Sequence, residues 1–506
     1  MEKHRLSEYI KALSDEGLLV DSDVGEETAL TYIGCLTYDT RELGDDALFI
    51  CKGAHFKPDY AEYAAEHGAA ALVSEAKYDV SCPCIIVSDI RRAMVCLSLI
   101  FFDDAPSKII SVGITGTKGK STTAYYLRAI LDDWFAATQH PECAILSSID
   151  TYDGVERFES HLTTPEVVEL HRHFSNAAKT GISHLVMEVS SQALKYGRVA
   201  GIKFDVACFM NIGTDHISPV EHKDFEDYFS SKLKIFDNCK TACINADSDH
   251  SDRILSYADG KCRIVTFGSH PEDTVYCKKI EKRGDAIFFD VKTPEFEKEL
   301  CITMPGIFNV SNALAAIAMS HVLGVPEKYV ESGLLRARAG GRMQIYKSRD
   351  ENVIAIVDYA HNKMSFEALF NSVKVEFPGR KMIAVFGCPG YKAYLRRHDL
   401  AVAADAECDH IVITEEDSGE EPFNNIAKDI ASNIERCDYS VIEDRGEAIR
   451  LAISELGGDR KVILITGKGE ETRQKRGTQY IDCPSDVEYT LKYLEEYDNA
   501  ALAANR

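Results

Sequence analysis

The stretch Ile109-Ile-Ser-Val-Gly-Ile-Thr115-Gly116-Thr117-Lys118-Gly119-Lys120-Ser121-Thr122 decides the fold. It runs from an apolar, β-branched segment through a glycine-rich turn into an amphipathic helix read from Ala124 to Trp134. Glycines let the backbone N–H groups of such a turn face phosphate oxygens, and the helix N-terminus adds its dipole. Lys120 is placed to neutralise β- and γ-phosphates, and the Ser121 hydroxyl to ligate magnesium. The strict spacing G-x-x-x-x-G-K-[ST] wants glycine at 114, where Ile114 stands, so the loop is a variant, T-G-T-x-G-K-[ST]-T.

Outward from this loop the alternation continues. Continuous apolar strands are expected at Ile109–Thr115, His184–Val189, Phe204–Ile212 and Thr241–Asn245, which implies a mostly parallel sheet covered on both faces. Upstream, shorter strands at Ala47–Cys51, Ala70–Val73 and Cys84–Val87 form a small α/β unit that ends at Asp103-Asp104-Ala105-Pro106. Downstream of Gly340-Gly341-Arg342 a second doubly wound sheet is expected, with strands Val353–Asp358, Met382–Phe386, His410–Thr414, Tyr439–Ile442 and Lys461–Thr466. The expected fold is α/β in three domains, over residues 1–107, 108–338 and 339–506. In such sheets ligands sit at the carboxyl ends of the strands, so the residues just after each strand carry the functional information.

The chain has 506 residues, with 57 Lys+Arg against 81 Asp+Glu and a formal charge of −24. A field of that sign repels polyanions, so a nucleic-acid or anionic-membrane surface is excluded as the main business, and any phosphate is bound locally. With 45% hydrophobic and 27% charged residues the composition is that of a folded protein. The first residues lack a continuous apolar run and no later stretch is long enough to span a bilayer, so a cytoplasmic protein, active as a monomer, is expected. The 16 cysteines are scattered singly and read as free thiols. The nearest approaches to a zinc pattern are Cys82-Pro-Cys84 and the pair Cys239 and Cys243, taken as one helical turn apart; neither has a second ligand pair.

Several residues are notable by position alone. Glu188 ends an apolar strand beside the phosphate loop and is suited to complete a magnesium shell with Ser121. Asp215-His216 follows another buried strand. Lys232 lies in an amphipathic helical segment, with Lys234 as its solvent-facing counterpart. Glu415–Glu421 is a dense acidic loop, with five carboxylates in seven residues.

The phosphate-loop variant is one of ten collinear motifs. The others are Tyr38-Asp-Thr-Arg41, Leu162-Thr-Thr-Pro165, Met187-Glu-Val-Ser-Ser191, Asp215-His216, Tyr228-Phe-Ser-Ser-Lys232, Phe308-Asn-Val-Ser-Asn312, Gly341-Arg-Met343, Asp358-Tyr-Ala-His361 and Gly467-Lys-Gly469. Over nearly its whole length the chain resembles the Mur ligase family, and most closely its lysine-adding members, notably in Phe225-Glu-Asp-Tyr-Phe229 and in Cys388 to Arg397. The resemblance implies an ATP-dependent amide ligase of peptidoglycan precursor synthesis that uses Mg2+. Its substrates would be ATP, UDP-N-acetylmuramoyl-L-alanyl-D-glutamate and L-lysine, and an acyl phosphate its intermediate.

By the same resemblance Glu188 and His216 hold magnesium with Ser121, and Lys232 is carbamylated by CO2 to an anion that helps hold a second ion. Together with Lys120 these are the expected catalytic residues. Gly116, Thr117, Lys118, Gly119, Lys120, Ser121 and Thr122, with Asn309, Asn312, Arg342 and Asp358, are assigned to ATP. Thr40, Thr163, Thr164, Ser190 and Arg198 are assigned to the UDP substrate, while Tyr196 departs from the glutamine of some members. Gly340, Gln344 and Lys363 depart from the family's proline, glutamate and proline, and none of them removes a reacting group.

Diaminopimelate-adding members carry D-N-P-R, where arginine answers the distal carboxylate; here the segment is Thr414-Glu-Glu-Asp417-Ser-Gly-Glu-Glu421-Pro422, without arginine. Its charge suits a distal ammonium and repels a distal carboxylate, so L-lysine is expected, with L-ornithine close behind. Arg396 or Arg397 is expected to hold the amino acid's α-carboxylate, with Glu416, Asp417, Gly467 and Glu471 around its side chain. Two other readings stay open. A folylpolyglutamate synthase-like ligase shares the central and C-terminal plan but has its phosphate loop near the N-terminus. A non-catalytic nucleotide-binding relative is expected to have lost one of Lys120, Glu188, His216 or Lys232.

Overall fold

A computed structural model describes residues 3–53, 56–160, 162–218, 221–458 and 460–504. Three α/β sheets carry the chain in order. The first has strands in the order Leu19–Ser22, Cys84–Val87, Ala69–Ser74, Ala47–Ile50 and Cys35–Thr37, parallel except for Leu19–Ser22. In the second, a parallel core runs Ala144–Leu146, His184–Glu188, Ile110–Thr115, Phe204–Phe209, Cys239–Asn245 and Arg263–Gly268. In the third, Val353–Asp358, Lys461–Thr466, Lys381–Phe386, His410–Ile413 and Asp438–Val441 are parallel, and Gln344–Lys347 lies antiparallel at one edge.

The phosphate-loop strand is central, flanked by His184–Glu188 and Phe204–Phe209. Its register sets Glu188 opposite Ile114, which carries that carboxylate to the start of the loop. The helix after the loop runs Lys120–Thr138 and packs on Asn309–Leu323, whose alanines are buried on every side. A third helix, Glu327–Arg336, comes so close that a Cβ on Gly333 would lie 2.4 Å from Ile130 Cα. The third sheet is covered on one face by Lys363–Glu376, Leu395–Glu407 and Phe423–Ala431, and on the other by Arg445–Ser454 and Asp486–Ala504.

Three expectations are corrected. The phosphate-loop helix begins at Lys120 rather than Ala124, because Ser121, Thr122 and Thr123 are poor helix formers held here by tertiary burial. The central sheet continues into an antiparallel meander, Val275–Arg283, Ala286–Lys292 and Glu297–Ile302, which alternates buried and exposed residues and so lacks a continuous apolar signature. Cys239 and Cys243 share a strand, where four residues span roughly 13 Å, too far for one metal ion. All sixteen cysteines are free thiols. Among the described residues no helix is long and apolar enough to cross a membrane.

Candidate active site

A cavity of about 570 Å³ opens between the phosphate loop and the carboxyl ends of the third sheet. Gly119 has φ 84°, and a Cβ there would lie 2.2 Å from the Asn312 side-chain oxygen, so only glycine lets helix Asn309–Leu323 press against the loop. The Asn312 amide donates to Asn309 Oδ1 at 2.8 Å, and the Asn309 amide to the Pro305 carbonyl at 2.6 Å, which fixes both side chains in the cavity wall.

Three lysines converge on the loop. Lys120 Nζ donates to the Gly116 and Thr117 carbonyls at 3.0 and 3.4 Å, and Lys232 Nζ donates to the same Gly116 carbonyl at 2.9 Å. Lys232 is 2% exposed, whereas Lys234 faces solvent as expected. Burial, and then the neighbouring Lys120, hold the Lys232 amine well below its ordinary pKa. Lys118, pushed down to about 7 by burial, donates to His361 Nε2 at 3.3 Å. His361 Nδ1 donates to the Tyr359 carbonyl at 2.7 Å, which leaves Nε2 as the acceptor.

Glu188 is buried, and its Oε1 accepts from the Ser148 N–H at 2.8 Å and the Ser148 hydroxyl at 3.1 Å. Ser148 also meets Ser121 Oγ at 3.0 Å, and Arg342 donates to that hydroxyl at 3.1 Å. His216 Nδ1 is 2.8 Å from Glu221 Oε1, an orienting carboxylate of the kind found behind metal-bound imidazoles. Ser121, Glu188 and His216 all line the cavity, and this donor set of hydroxyl, oriented carboxylate and oriented imidazole fits magnesium. Ser148 and Glu221 escape sequence reading, since the strand before Ser148, Ala144–Leu146, is only three residues long and Glu221 lies in a loop. Ser148→Ala is expected to raise the magnesium concentration for half-maximal phosphate release about tenfold, measured by magnesium titration; an unchanged midpoint would remove Ser148 from this role.

Asp358 reaches the wall with both oxygens engaged: Oδ2 accepts from Met343 N–H and Oδ1 from Ala360 N–H, each at 2.7 Å. It thereby braces Gly341-Arg342-Met343. Thr163 lines the cavity, while Thr164, Ser190 and Arg198 stand behind it. Thr164 Oγ1 donates to the Glu188 carbonyl at 3.0 Å, Ser190 caps helix Ser191–Lys195, and Arg198 Nε lies 2.7 Å from Glu166. Thr40, on the turn Thr40–Glu42 of the first sheet, is not among the lining residues. Its neighbour Tyr38 bonds Glu169, and Lys52 pairs with Glu166, so that segment leans on helix Val167–Lys179. The ring of Tyr196 lies under the Arg91 guanidinium, 4.5 Å away.

The acidic loop is internally neutralised rather than solvated. Glu415 pairs with Arg476 at 2.8 Å, Asp417 with Lys468 at 3.0 Å, and Glu421 with Arg397 at 2.6 Å. Arg397, 3% exposed and also paired with Asp429, is spent on structure and does not line the cavity, which leaves Arg396. Glu471 likewise turns to Lys468 and Tyr359, away from the cavity wall. Glu416 differs. It is 8% exposed, lines the cavity, has no hydrogen-bond or ion-pair partner among the described residues, and is pushed up to about 7 by burial. A Cβ on Gly467 would lie 2.2 Å from Glu416 Oε2, so the glycine makes room for that carboxylate.

Residues 114–320 match the Mur ligase middle domain, and residues 341–469 the glutamate ligase domain of Mur ligases. The UDP-N-acetylmuramyl-tripeptide synthetase of Lactobacillus delbrueckii subsp. bulgaricus is 34% identical over 97% of this chain and 99% of its own. The UDP-N-acetylmuramoyl-L-alanyl-D-glutamate--L-lysine ligase of Enterococcus faecalis is 36% identical over 88% of each chain. Among solved structures, a UDP-N-acetylmuramoyl-L-alanyl-D-glutamate--2,6-diaminopimelate ligase shares the fold at TM-score 0.65 and 22% identity, over 98% of this chain and 99% of that one. MurF ligase from Thermotoga maritima, solved with ADP, does so at TM-score 0.62 and 16% identity, over 92% of this chain and 98% of that one. With both of its catalytic domains matched and relatives of this identity aligned along nearly its full length, the chain belongs to the Mur ligase family.

Proposed function

We propose that the protein is an ATP-dependent ligase that joins L-lysine to UDP-N-acetylmuramoyl-L-alanyl-D-glutamate, releasing ADP and phosphate. The observation that carries the choice of lysine is Glu416, a buried carboxylate with no ion-pair partner among the described residues, in the same cavity as the phosphate loop and Arg396. The name of the Enterococcus relative supports the choice of L-lysine, and that of the Lactobacillus relative supports tripeptide synthesis.

A carboxylate is a poor electrophile at neutral pH, so the substrate's glutamate carboxylate first takes the γ-phosphoryl of ATP and becomes an acyl phosphate. The lysine α-amine then attacks the acyl carbon, and phosphate leaves. Lys118, Lys120 and Arg342 offset the negative charge gathered at the loop, and positioning supplies most of the remaining acceleration. Ser121, Glu188 and His216 would hold magnesium, which when bound offsets phosphate charge and orients the transferring group. Lys232 suits the carbamate role because CO2 reacts only with a neutral amine, and burial beside Lys120 favours the neutral form. Arg396 takes the lysine α-carboxylate, Glu416 and Asp417 face its distal ammonium, and Thr163 lies on the side of the UDP substrate.

The test is phosphate release with ATP, magnesium and the UDP-dipeptide against a panel of diamino acids. L-Lysine is expected to give the highest kcat/KM, L-ornithine the next, and meso-diaminopimelate at least a hundredfold less. Preference for diaminopimelate would overturn the reading of Glu416, and release independent of the UDP-dipeptide would overturn the ligase.

A further inference from the structure

One buried acid outside the cavity joins the loop that carries His216 to the helix that carries Arg396. Asp215 is 6% exposed and is not among the residues lining the main cavity. Its Oδ1 accepts from Arg396 Nη2 at 2.8 Å and Nε at 3.1 Å, and from the His216 N–H at 2.9 Å. Its Oδ2 accepts from the Asn362 amide at 2.5 Å, and Asn362 is the N-cap of helix Lys363–Glu376. One carboxylate of the central sheet's loop thus grips two helices of the third sheet.

We propose that Asp215 is a positioning residue for the amino-acid substrate: it orients Arg396 toward the cavity and couples amino-acid binding to the phosphate and magnesium side of the site. A guanidinium offers five N–H donors in a rigid fork, and Asp215 takes two of them from the Nε edge. The Nη1 edge remains for a carboxylate that enters the cavity, which Arg396 lines. Without Asp215 the side chain would keep its charge but lose its direction, and a two-pronged grip depends on direction. The adjacent residue, His216, faces the same cavity, so a ligand that draws Arg396 and its helix inward also bears on the loop that carries His216. Such coupling is reciprocal: nucleotide bound on one side must favour amino acid on the other by the same factor.

This inference rests on the lysine ligase reading, and its test separates the two. In the full-length protein, Asp215→Asn is expected to raise the KM for L-lysine more than tenfold while the affinity for ATP in the absence of L-lysine moves less than twofold. Binding of a non-hydrolysable ATP analogue with magnesium, strengthened by L-lysine in the wild-type protein, is expected to lose that strengthening in the variant. Asp215→Glu retains the charge that Arg396 needs and guards against loss of fold; it is expected to show the same split at smaller size. An unchanged KM for lysine, or an equal rise in KM for all three substrates, would overturn the positioning role. Absence of lysine-dependent phosphate release in the wild-type protein would overturn the ligase reading, and this inference with it.

Discussion

Lys120→Ala is expected to lower lysine-dependent phosphate release at least a thousandfold, equivalent to about 4 kcal/mol of transition-state stabilisation. Two losses combine in that figure. The first is the ammonium that meets the β- and γ-phosphates at the mouth of the loop. The second acts through Lys232: the two amines share the Gly116 carbonyl, and Lys120 helps to hold Lys232 in its neutral form. With Lys120 gone, Lys232 protonates more readily and its reaction with CO2 is disfavoured. The fold should survive, because Lys120 makes no ion pair among the described residues and its bonds go to loop carbonyls that face the cavity. The measurement is phosphate release with all substrates present, alongside a melting curve. Turnover near that of the wild-type protein, with the fold intact, would sink the assignment of the loop.

The chain's −24 charge coexists with a local excess of cations. Lys118, Lys120, Arg342 and Arg396 gather where the substrates' phosphates and carboxylates must meet. Burial holds Lys118 and Lys120 below their usual basicity, so part of that charge is absent until an anion arrives to restore it. This arrangement limits the cost of assembling like charges in the empty site and makes their protonation responsive to the ligand.

What could be read from the residues alone was whatever sits at the end of an apolar strand. The phosphate loop, Glu188 and Asp358 are legible because a strand's carboxyl end in a parallel sheet faces the ligand, and each of these strands is apolar throughout. Ser148 and Glu221 were not legible, since each matters through its bond to another side chain, Glu188 forty residues on and His216 across a loop, rather than through any local pattern. The pairing of the acidic loop was hidden for the same reason. Its cations come from Arg397, Lys468 and Arg476, up to 61 residues away, and a count of carboxylates could not show that three of the five are already matched. Arg396 and Arg397, adjacent and chemically identical, separate only in three dimensions, because successive residues on a helix point about 100° apart: one meets Asp215 and the cavity, the other Glu421.

The sharpest consequence concerns Glu416. Replacing it with glutamine keeps its shape and removes its charge, and should lower kcat/KM for L-lysine by about a hundredfold or more, since a buried ammonium then lacks its counter-ion. The pH dependence gives a second signature. In the empty site Glu416 titrates at about 7, raised by burial, whereas the lysine ammonium, with an ordinary pKa of about 10.4, stays charged throughout. Above pH 7 the carboxylate is ionised before lysine arrives. Below pH 7 it carries a proton that binding must expel, so the KM for lysine rises as pH falls, approaching tenfold per unit well below the pKa. Glu416→Gln has no such proton, and its KM should lose this rise between pH 6 and 8. Removing the carboxylate also removes its repulsion toward the second carboxylate of meso-diaminopimelate, so the variant should discriminate less between the two amino acids even as it binds lysine worse. Parallel pH profiles for wild type and variant would show that the lysine ammonium is read elsewhere, leaving Asp417, already shared with Lys468, as the remaining carboxylate of the acidic loop that lines the cavity.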